Sequence, residues 1–390
     1  MSPKSAALFQ PLTLSGVTLP NRIGVSPMCM YGATNGHAAD MHLIHLGRFA
    51  MGGAGLVLVE ATAIEPRGRI SHHDLGLWAD SHIAPLRRIA DALRAEGTVP
   101  GIQLAHAGRR ASVREPWRAG APLDETDAAA GSPPWQTVAP SAVEPGPGWP
   151  RPRALTAAEI RTSIDEWAAA ARRAVEAGFD VVELHGAHGY LLHQFVSPLS
   201  NLRDDEWGGD DERRLRYPLE VVRAVRAEIG DRALLYRVSS IDGPEGGRRI
   251  EETVAFAHRL RAEGVDLVDA SSGGLSTDRS RDLRVRRTFG YHADFSRSVR
   301  EAGAGPVATT GYIVDAEQAA MLVENGDTDL LLLGREMLDD PNWPQHARRR
   351  LDAEEAAHWH PRFGSAIVPR LGSLQRLVER GEGPLARFGR

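Results

Sequence analysis

From residue 21 to about residue 350 the chain alternates short apolar runs with longer stretches of helical spacing, and it does so eight times. The apolar runs are Ile23–Ser26, Leu56–Ala61, Pro100–Ala105, Val181–His185, Leu234–Val238, Leu267–Ala270, Val307–Thr310 and Leu330–Gly334. Each is four to six residues long and nearly unbroken, the pattern of a parallel strand buried on both faces. Between them the clearest helix is Thr156–Ala177, where Thr156 and Glu159 stand in capping-box register and Gly178 follows as a stop. Glu251–Glu263 and Asp315–Asn325 end in the same way, at Gly264 and Gly326. Eight strands, each followed by a helix, make the α/β class and predict a closed (β/α)8 (TIM) barrel. An open doubly wound sheet shares the alternation. No G-x-G-x-x-G opens the first strand–helix turn, which weighs against that sheet and favours the barrel.

Two segments break the rhythm. Ser112–Leu155 holds nine prolines and several glycines with no lasting period, so it reads as a long loop after the third strand. In a barrel that loop emerges over the face that carries chemistry. Residues 351–390 form an arginine-rich tail with a short helical pattern around Ser373–Glu379, either a docking arm for another subunit or a frayed end. The organisation expected is one barrel domain over 1–350 and a tail beyond it.

Composition narrows the function. Forty-six Lys and Arg against 51 Asp and Glu leave a formal charge of −5, without the basic excess that nucleic-acid binding needs. A single cysteine excludes a disulfide framework, a four-cysteine zinc site and a cluster held by four of these thiols. The opening residues lack a signal-peptide pattern and no stretch reads as a membrane span, so a soluble, cytoplasmic protein is expected.

Polar residues at the C-terminal ends of barrel strands are catalytic candidates. The first strand runs into Ser26-Pro27-Met28-Cys29-Met30-Tyr31, the third carries Gln103 and His106, and the fourth ends in Glu183-Leu184-His185-Gly186-Ala187-His188-Gly189-Tyr190. Arg237 stands among apolar neighbours in the fifth, and the seventh and eighth run into Thr310-Gly311 and Gly334-Arg335. His185 and His188 at one strand end can aim two imidazole donors at one oxygen, and Tyr190 adds a proton source. A zinc hydrolase built on His185, His188, His193 and Glu183 is the alternative, weakened because no H-x-H lies on the first strand and no Asp ends the eighth. Buried Arg237 needs an anionic or polar partner: either a salt bridge to Glu183, or a cofactor edge that becomes negative, as a reduced flavin does. Gln103 can read the same edge. A phosphate grip after strands seven and eight, where barrels often bind phosphate, together with that arginine suits FMN. Lone Cys29 is either a small buried hydrophobe or a residue near the ring.

With these residues in place, the chain resembles the Old Yellow Enzyme family of FMN-dependent ene-reductases. It is most similar to the bacterial NADPH dehydrogenase and xenobiotic reductase subgroup with a first-strand cysteine. The likeness runs from about Phe9 to Asp340 and rests on Pro20-Asn21-Arg22-Ile23, Ser26 to Tyr31, Gln103 to Arg109, Glu183 to Leu191, Ser197-Pro198-Leu199-Ser200-Asn201, and Gly334-Arg335 before Asp340-Pro341. The resemblance implies that Ser26, Pro27, Met28, Cys29, Ala61, Gln103, Arg237, Gly311, Gly334 and Arg335 hold FMN. It implies that His185 and His188 bind the substrate's carbonyl or nitro group, that Tyr190 donates the proton, and that Tyr31 and Cys29 line the substrate pocket. The expected reaction is NADPH- or NADH-driven reduction of a small-molecule activated alkene in a homodimer or homotetramer. Arg362 is the counterpart of an arginine that the subgroup sends into a neighbouring subunit's pocket. Gly186 stands where the family more often has alanine, which predicts a slightly looser turn.

Overall fold

The computed structural model describes residues 7–277, 285–351 and 359–384. Eight parallel strands close into a barrel: β1 (Ile23–Val25), β2 (Leu56–Ala63), β3 (Val99–Ala105), β4 (Val181–Gly186), β5 (Ala233–Ser239), β6 (Leu267–Ser271), β7 (Val307–Thr309) and β8 (Leu330–Leu333). Each pairs with the next in sequence, and β8 returns to β1 through Leu331–Ile23, Leu332–Gly24 and Leu333–Val25. That last pairing removes both sheet edges and sets aside the open-sheet alternative.

The helices α1 (Asp40–Met51), α2 (Ile83–Ala95), α3 (Ala157–Glu176), α4 (Asp211–Ile229), α5 (Ile250–Ala262), α6 (Ala293–Glu301), α7 (Ala316–Glu324) and α8 (Trp343–Leu351) follow the strands in order. The capping box of α3 is formed: Thr156 Oγ1 accepts from the Glu159 N–H at 3.2 Å, and Glu159 Oε2 accepts from the Thr156 N–H at 2.9 Å. Outward strand residues such as Val57, Val59, Ile102, Val182, Leu184, Leu234 and Leu331 pack in one buried layer with helix residues such as Phe49, Leu86, Trp167 and Val222.

A short hairpin, Leu12–Leu14 with Val17–Leu19, precedes β1 and was not foreseen. It sends Leu14 and Leu19 into the barrel's N-terminal end, among Leu56, Leu58, Val181, Leu235, Leu267, Leu330 and Leu332. Three-residue strands leave too little pattern to read from sequence.

The long loop after β3 carries short pieces of regular structure. It contains a tight turn at Pro116–Arg118, a short helix Glu125–Ala129, and a parallel pair between Val138–Ala139 and Arg153–Ala154. The loop is pinned to the rest of the molecule by Arg109, which reaches the Val143 carbonyl at 3.1 Å and the Leu275 carbonyl at 2.8 Å. In the tail, the helix α9 runs from Pro361 to Glu379, well beyond Ser373–Glu379. Pro361 at its first turn and His360 as its cap explain the start, while Gly364, Pro369 and Gly372 break the pattern that would have revealed it. No residue of α9 is buried, and a 2.8 Å contact between His360 Nε2 and Glu96 Oε2 fastens its start near the N-terminal end of β3. Among the described residues no helix is long and apolar enough to cross a membrane.

Candidate active site

Alternation sends every second strand residue into the barrel. Along β2, β4, β5 and β6 the inward series are Leu56-Leu58-Glu60, Val181-Glu183-His185, Ala233-Leu235-Arg237-Ser239 and Leu267-Asp269-Ser271, with Gln103 of β3 beside Glu183. Each series turns from apolar to polar on passing toward the C-terminal end. Glu60, Gln103, Glu183, His185, Arg237 and Asp269 are all buried there.

These groups only partly satisfy one another. Gln103 Nε2 donates to Glu183 Oε1 at 2.7 Å, and Arg237 Nη1 donates to Ser26 Oγ at 3.0 Å. The ion partner of Arg237 is Asp269, with Nε to Oδ2 at 3.1 Å, and not Glu183, which the sequence offered as one of two partners beside a cofactor edge. Asp269 lies beside Arg237 in the β5–β6 register, whereas Glu183 lies opposite Leu235 and is taken by Gln103. Glu60 Oε1, Glu183 Oε2 and Asp269 Oδ1 are buried with no hydrogen-bond partner among the described residues. Burial, and after it the charge of Asp269, pushes Glu183 up; burial pushes Asp269 up against the opposing pull of Arg237. Buried polar atoms left unpaired are costly. A polar cofactor edge with donors and acceptors of its own fits this end of the barrel, as the isoalloxazine edge of a flavin does.

The loop after β1 is fixed from β2. Glu60 Oε2 accepts from the Met30 N–H at 3.1 Å. Burial, then the nearby Asp74 charge, raises the Glu60 carboxyl to about 8, so it is mostly protonated at neutral pH. Cys29 and Tyr31 pack with Tyr190 on a small cluster of Ile70, Ala107, Ala111 and Val113. Burial first, then the Asp74 charge, raises the Cys29 thiol well above its usual value, so it is a thiol and not a thiolate. Ala61 is buried next to Glu60 on β2. Gly334 lies against Ser26 and Met28: a Cβ there would be 3.9 Å from Ser26 Cβ and 3.6 Å from Met28 Sδ.

At the end of β4 the His185 and His188 rings are 5.1 Å apart and nearly perpendicular, with the Tyr190 ring 4.7 Å from His185. The Ala187 N–H donates to His185 Nδ1 at 3.3 Å, so the neutral ring carries its proton on Nε2. His188 Nε2 lies 2.7 Å from Ser271 Oγ; accepting from that hydroxyl leaves the proton on Nδ1. Burial, then the charge of Arg237, holds both imidazoles well below the ordinary histidine value, hence neutral. Burial, aided by Cys29 and opposed by Arg110, raises the Tyr190 phenol above the ordinary tyrosine value, so it keeps its proton. His188 sits at φ +58° and Tyr31 at φ +54°, strained for side-chain-bearing residues and a recurrent mark of functional loops. Gly186 is the last residue of β4, and a Cβ there would overlap the Tyr236 ring, which fills the space an alanine would need.

Past β7 and β8, Thr310, Gly311, Gly334 and Arg335 line a cleft of about 70 Å³ with Tyr291 and Tyr312. Gly311 takes φ +105°, open to glycine alone at little cost. The Arg335 guanidinium lies 4.9 Å from the centre of the Tyr312 ring. A larger cavity, about 300 Å³, opens at the opposite end beside Phe9, Glu96 and Arg348, away from the polar interior.

The residues singled out from sequence therefore gather at one end of the barrel, except Arg362. That side chain is exposed at the start of α9, whose His360 is tied to Glu96 at the other end. His193 turns away to Asp242, Nε2 to Oδ1 at 2.8 Å, while its Nδ1 accepts from the Gly189 N–H at 2.9 Å, so the hydrolase alternative loses that ligand. Among the described residues no three His, Cys, Asp or Glu side chains are grouped to hold a metal ion. Sequence reasoning missed Asp269 and Ser271, the partners of Arg237 and His188. The signal was present: both are polar residues at inward positions of an otherwise apolar strand.

The sequence model of the NADH:flavin oxidoreductase / NADH oxidase family matches residues 7–354. An NADPH dehydrogenase of Geobacillus thermodenitrificans is 40% identical over 349 residues, 89% of this chain and 95% of that protein. Among solved structures, 2-naphthoyl-CoA reductase in complex with 2-naphthoyl-CoA aligns at TM-score 0.79 and 26% identity over 89% of this chain. This chain spans about half of that protein, 52%. An old yellow enzyme homologue from Zymomonas mobilis aligns at TM-score 0.68 and 27% identity, covering 89% of this chain and 92% of its own. A closed barrel with a polar C-terminal interior, matched over nearly its whole length, makes this chain a flavin-dependent NAD(P)H oxidoreductase and a member of the NADH:flavin oxidoreductase / NADH oxidase family.

Proposed function

We propose that the flavin is FMN and that the enzyme reduces alkenes activated by a carbonyl or nitro group, with NADPH or NADH as reductant. When bound, FMN supplies two-electron hydride chemistry between the nicotinamide and the alkene. The observation that carries the reading is the His185–His188–Tyr190 cluster at the end of β4: two neutral imidazoles and a protonated phenol within ring-contact distance.

His185 Nε2–H and His188 Nδ1–H donate to the activating oxygen of the substrate. They draw electron density toward that oxygen and make the β-carbon electrophilic. Donors of this kind contribute roughly 3–4 kcal/mol each when the charge they face develops in the transition state. Burial and the charge of Arg237 keep both rings neutral, so each imidazole donates from a single ring nitrogen. Tyr190 keeps its proton until the α-carbon needs one. Ser26, Pro27, Met28, Cys29, Ala61, Gln103 and Arg237 would hold the ring of FMN, and Gly311, Gly334 and Arg335 its phosphate. Arg237, which Asp269 and Ser26 Oγ hold in place, would offset negative charge on the bound ring. Cys29 and Tyr31 bound the substrate side of the pocket.

Purified protein should be yellow, and anaerobic NADPH or NADH should bleach it. In Tyr190→Phe, stopped-flow measurement should show the bleaching by nucleotide at the wild-type rate and the recolouring by cyclohex-2-en-1-one slowed by roughly 10²-fold, within the usual span for a proton donor. Equal slowing of both phases removes Tyr190 from its role. Colourless protein that stays so after incubation with FMN overturns the assignment of the cofactor.

A further inference from the structure

The loop Ser112–Leu155 brings three tryptophans to the site's side of the barrel, and they are not equivalent. Trp135 is spent on structure: its Nε1 donates to the Arg67 carbonyl at 3.0 Å, its ring meets His72 at 5.0 Å, and Arg69 stacks 5.4 Å from it. Trp149 and Trp135 pack on the same small cluster that carries Cys29, Tyr31 and Tyr190. Trp117 is 69% exposed, and its one ring contact among the described residues is edge-on to Tyr31 at 5.6 Å and 83°. A tryptophan is the largest apolar surface a side chain can offer, and leaving it in water forfeits its burial energy.

Trp117 is nevertheless held firmly. The turn beneath it is framed by buried carboxylates: Glu115 Oε1 lies 2.5 Å from His73 Nδ1, and Asp127 Oδ1 lies 2.8 Å from Arg118 Nη2 and 3.1 Å from Arg114 Nε. Arg114 Nη2 also reaches Asp124 at 2.7 Å. The Arg118 N–H donates to the Glu115 carbonyl at 2.8 Å, and Ala119 closes the turn at φ +69°. An exposed aromatic ring on a turn fixed by ion pairs, leaning on a rim residue that itself packs with the proposed proton donor, has the build of a binding surface. A mobile hydrophobic side chain would need no such frame.

We propose that Trp117 and Tyr31 form an aromatic subsite at the mouth of the pocket, which takes a planar apolar substituent on the alkene and selects aryl-bearing substrates. The inference rests on the alkene-reduction reading for its chemistry. The subsite contributes binding of the substituent and no step of the reaction.

The test compares holoenzyme with Trp117→Ala and Trp117→Phe on 4-phenylbut-3-en-2-one, which carries an aryl ring, and cyclohex-2-en-1-one, which does not. Trp117→Ala should lower the ratio of kcat/KM for the aryl enone over the cyclic one by about tenfold, through KM, and Trp117→Phe should restore most of it. A ratio that does not move overturns the subsite. In parallel, the oxidised enzyme is titrated with the aryl enone without nucleotide, and binding is followed by the flavin absorbance. Its Kd should rise about tenfold in Trp117→Ala; an unchanged Kd also overturns the subsite. If neither enone is reduced while NADPH still bleaches the flavin, the alkene-reduction reading fails, and the titration decides the subsite by itself.

Discussion

The two halves of the barrel interior are built by the same strands in the same alternation, yet they have opposite chemistry. Toward the N-terminal end, Leu56, Leu58, Val181, Leu235, Leu267, Leu330 and Leu332 close on one another and on Leu14 and Leu19 of the hairpin. Toward the C-terminal end, the next inward positions are Glu60, Gln103, Glu183, His185, Arg237 and Asp269, with carboxylate oxygens left unpaired. The first half is complete as protein, and each buried leucine contributes on the order of 2 kcal/mol. The second half leaves buried polar atoms without partners among the described residues, and a ligand with donors and acceptors of its own fits it. Stability and chemistry are therefore divided along each strand, about one turn of the pleat apart.

That division is open to attack from both sides. The largest effect belongs to the polar half: His185→Ala with His188→Ala should slow oxidation of the reduced enzyme by an activated alkene by about 10³-fold or more. Its melting temperature should stay near wild type, and stopped-flow absorbance with a parallel thermal scan checks both. A rate within tenfold of wild type would remove the histidines from the chemistry. Next, Leu235→Ala in the apolar half should cost about 2–5 kcal/mol in denaturant unfolding. Its rate per flavin-loaded molecule should be unchanged, whereas a matching fall in rate would mean that the halves are not separable. The smallest effect is a slope. Glu60 has its folded value raised from 4.5 to about 8, so the folded state binds the extra proton between those values. Stability of the apoprotein should then fall as pH rises through that window, by at most about 1.4 kcal/mol per pH unit from this group. Glu60→Gln should flatten the curve, and urea unfolding at pH 5, 6, 7 and 8 reads the difference.

The barrel was legible because a parallel strand covered on both faces leaves a nearly unbroken apolar run, and a polar residue inside such a run stands out. Arg237, Gln103, His185 and Glu183 were found in that way. Which carboxylate answers Arg237 was not legible, since two strands flank β5 and only the register puts Asp269 beside it. The hairpin and α9 escaped for local reasons: strands of three residues carry no period, and glycine and proline inside α9 mask its apolar spacing. Trp117 escaped for another reason. Its position depends on ion pairs between residues 73, 114, 115, 118, 124 and 127, and no periodic signal encodes such a frame.

The bond between Ser26 and Arg237 joins residues 211 positions apart, and the cleft that includes Gly334 and Arg335 needs β8 in place against β1. If these residues hold the flavin as proposed, a nascent chain emerging from the ribosome would have nowhere to bind it until the final strand has been made. Cofactor uptake would then come at the end of biosynthesis, and the appearance of colour would serve as a clock for the moment the cylinder shuts.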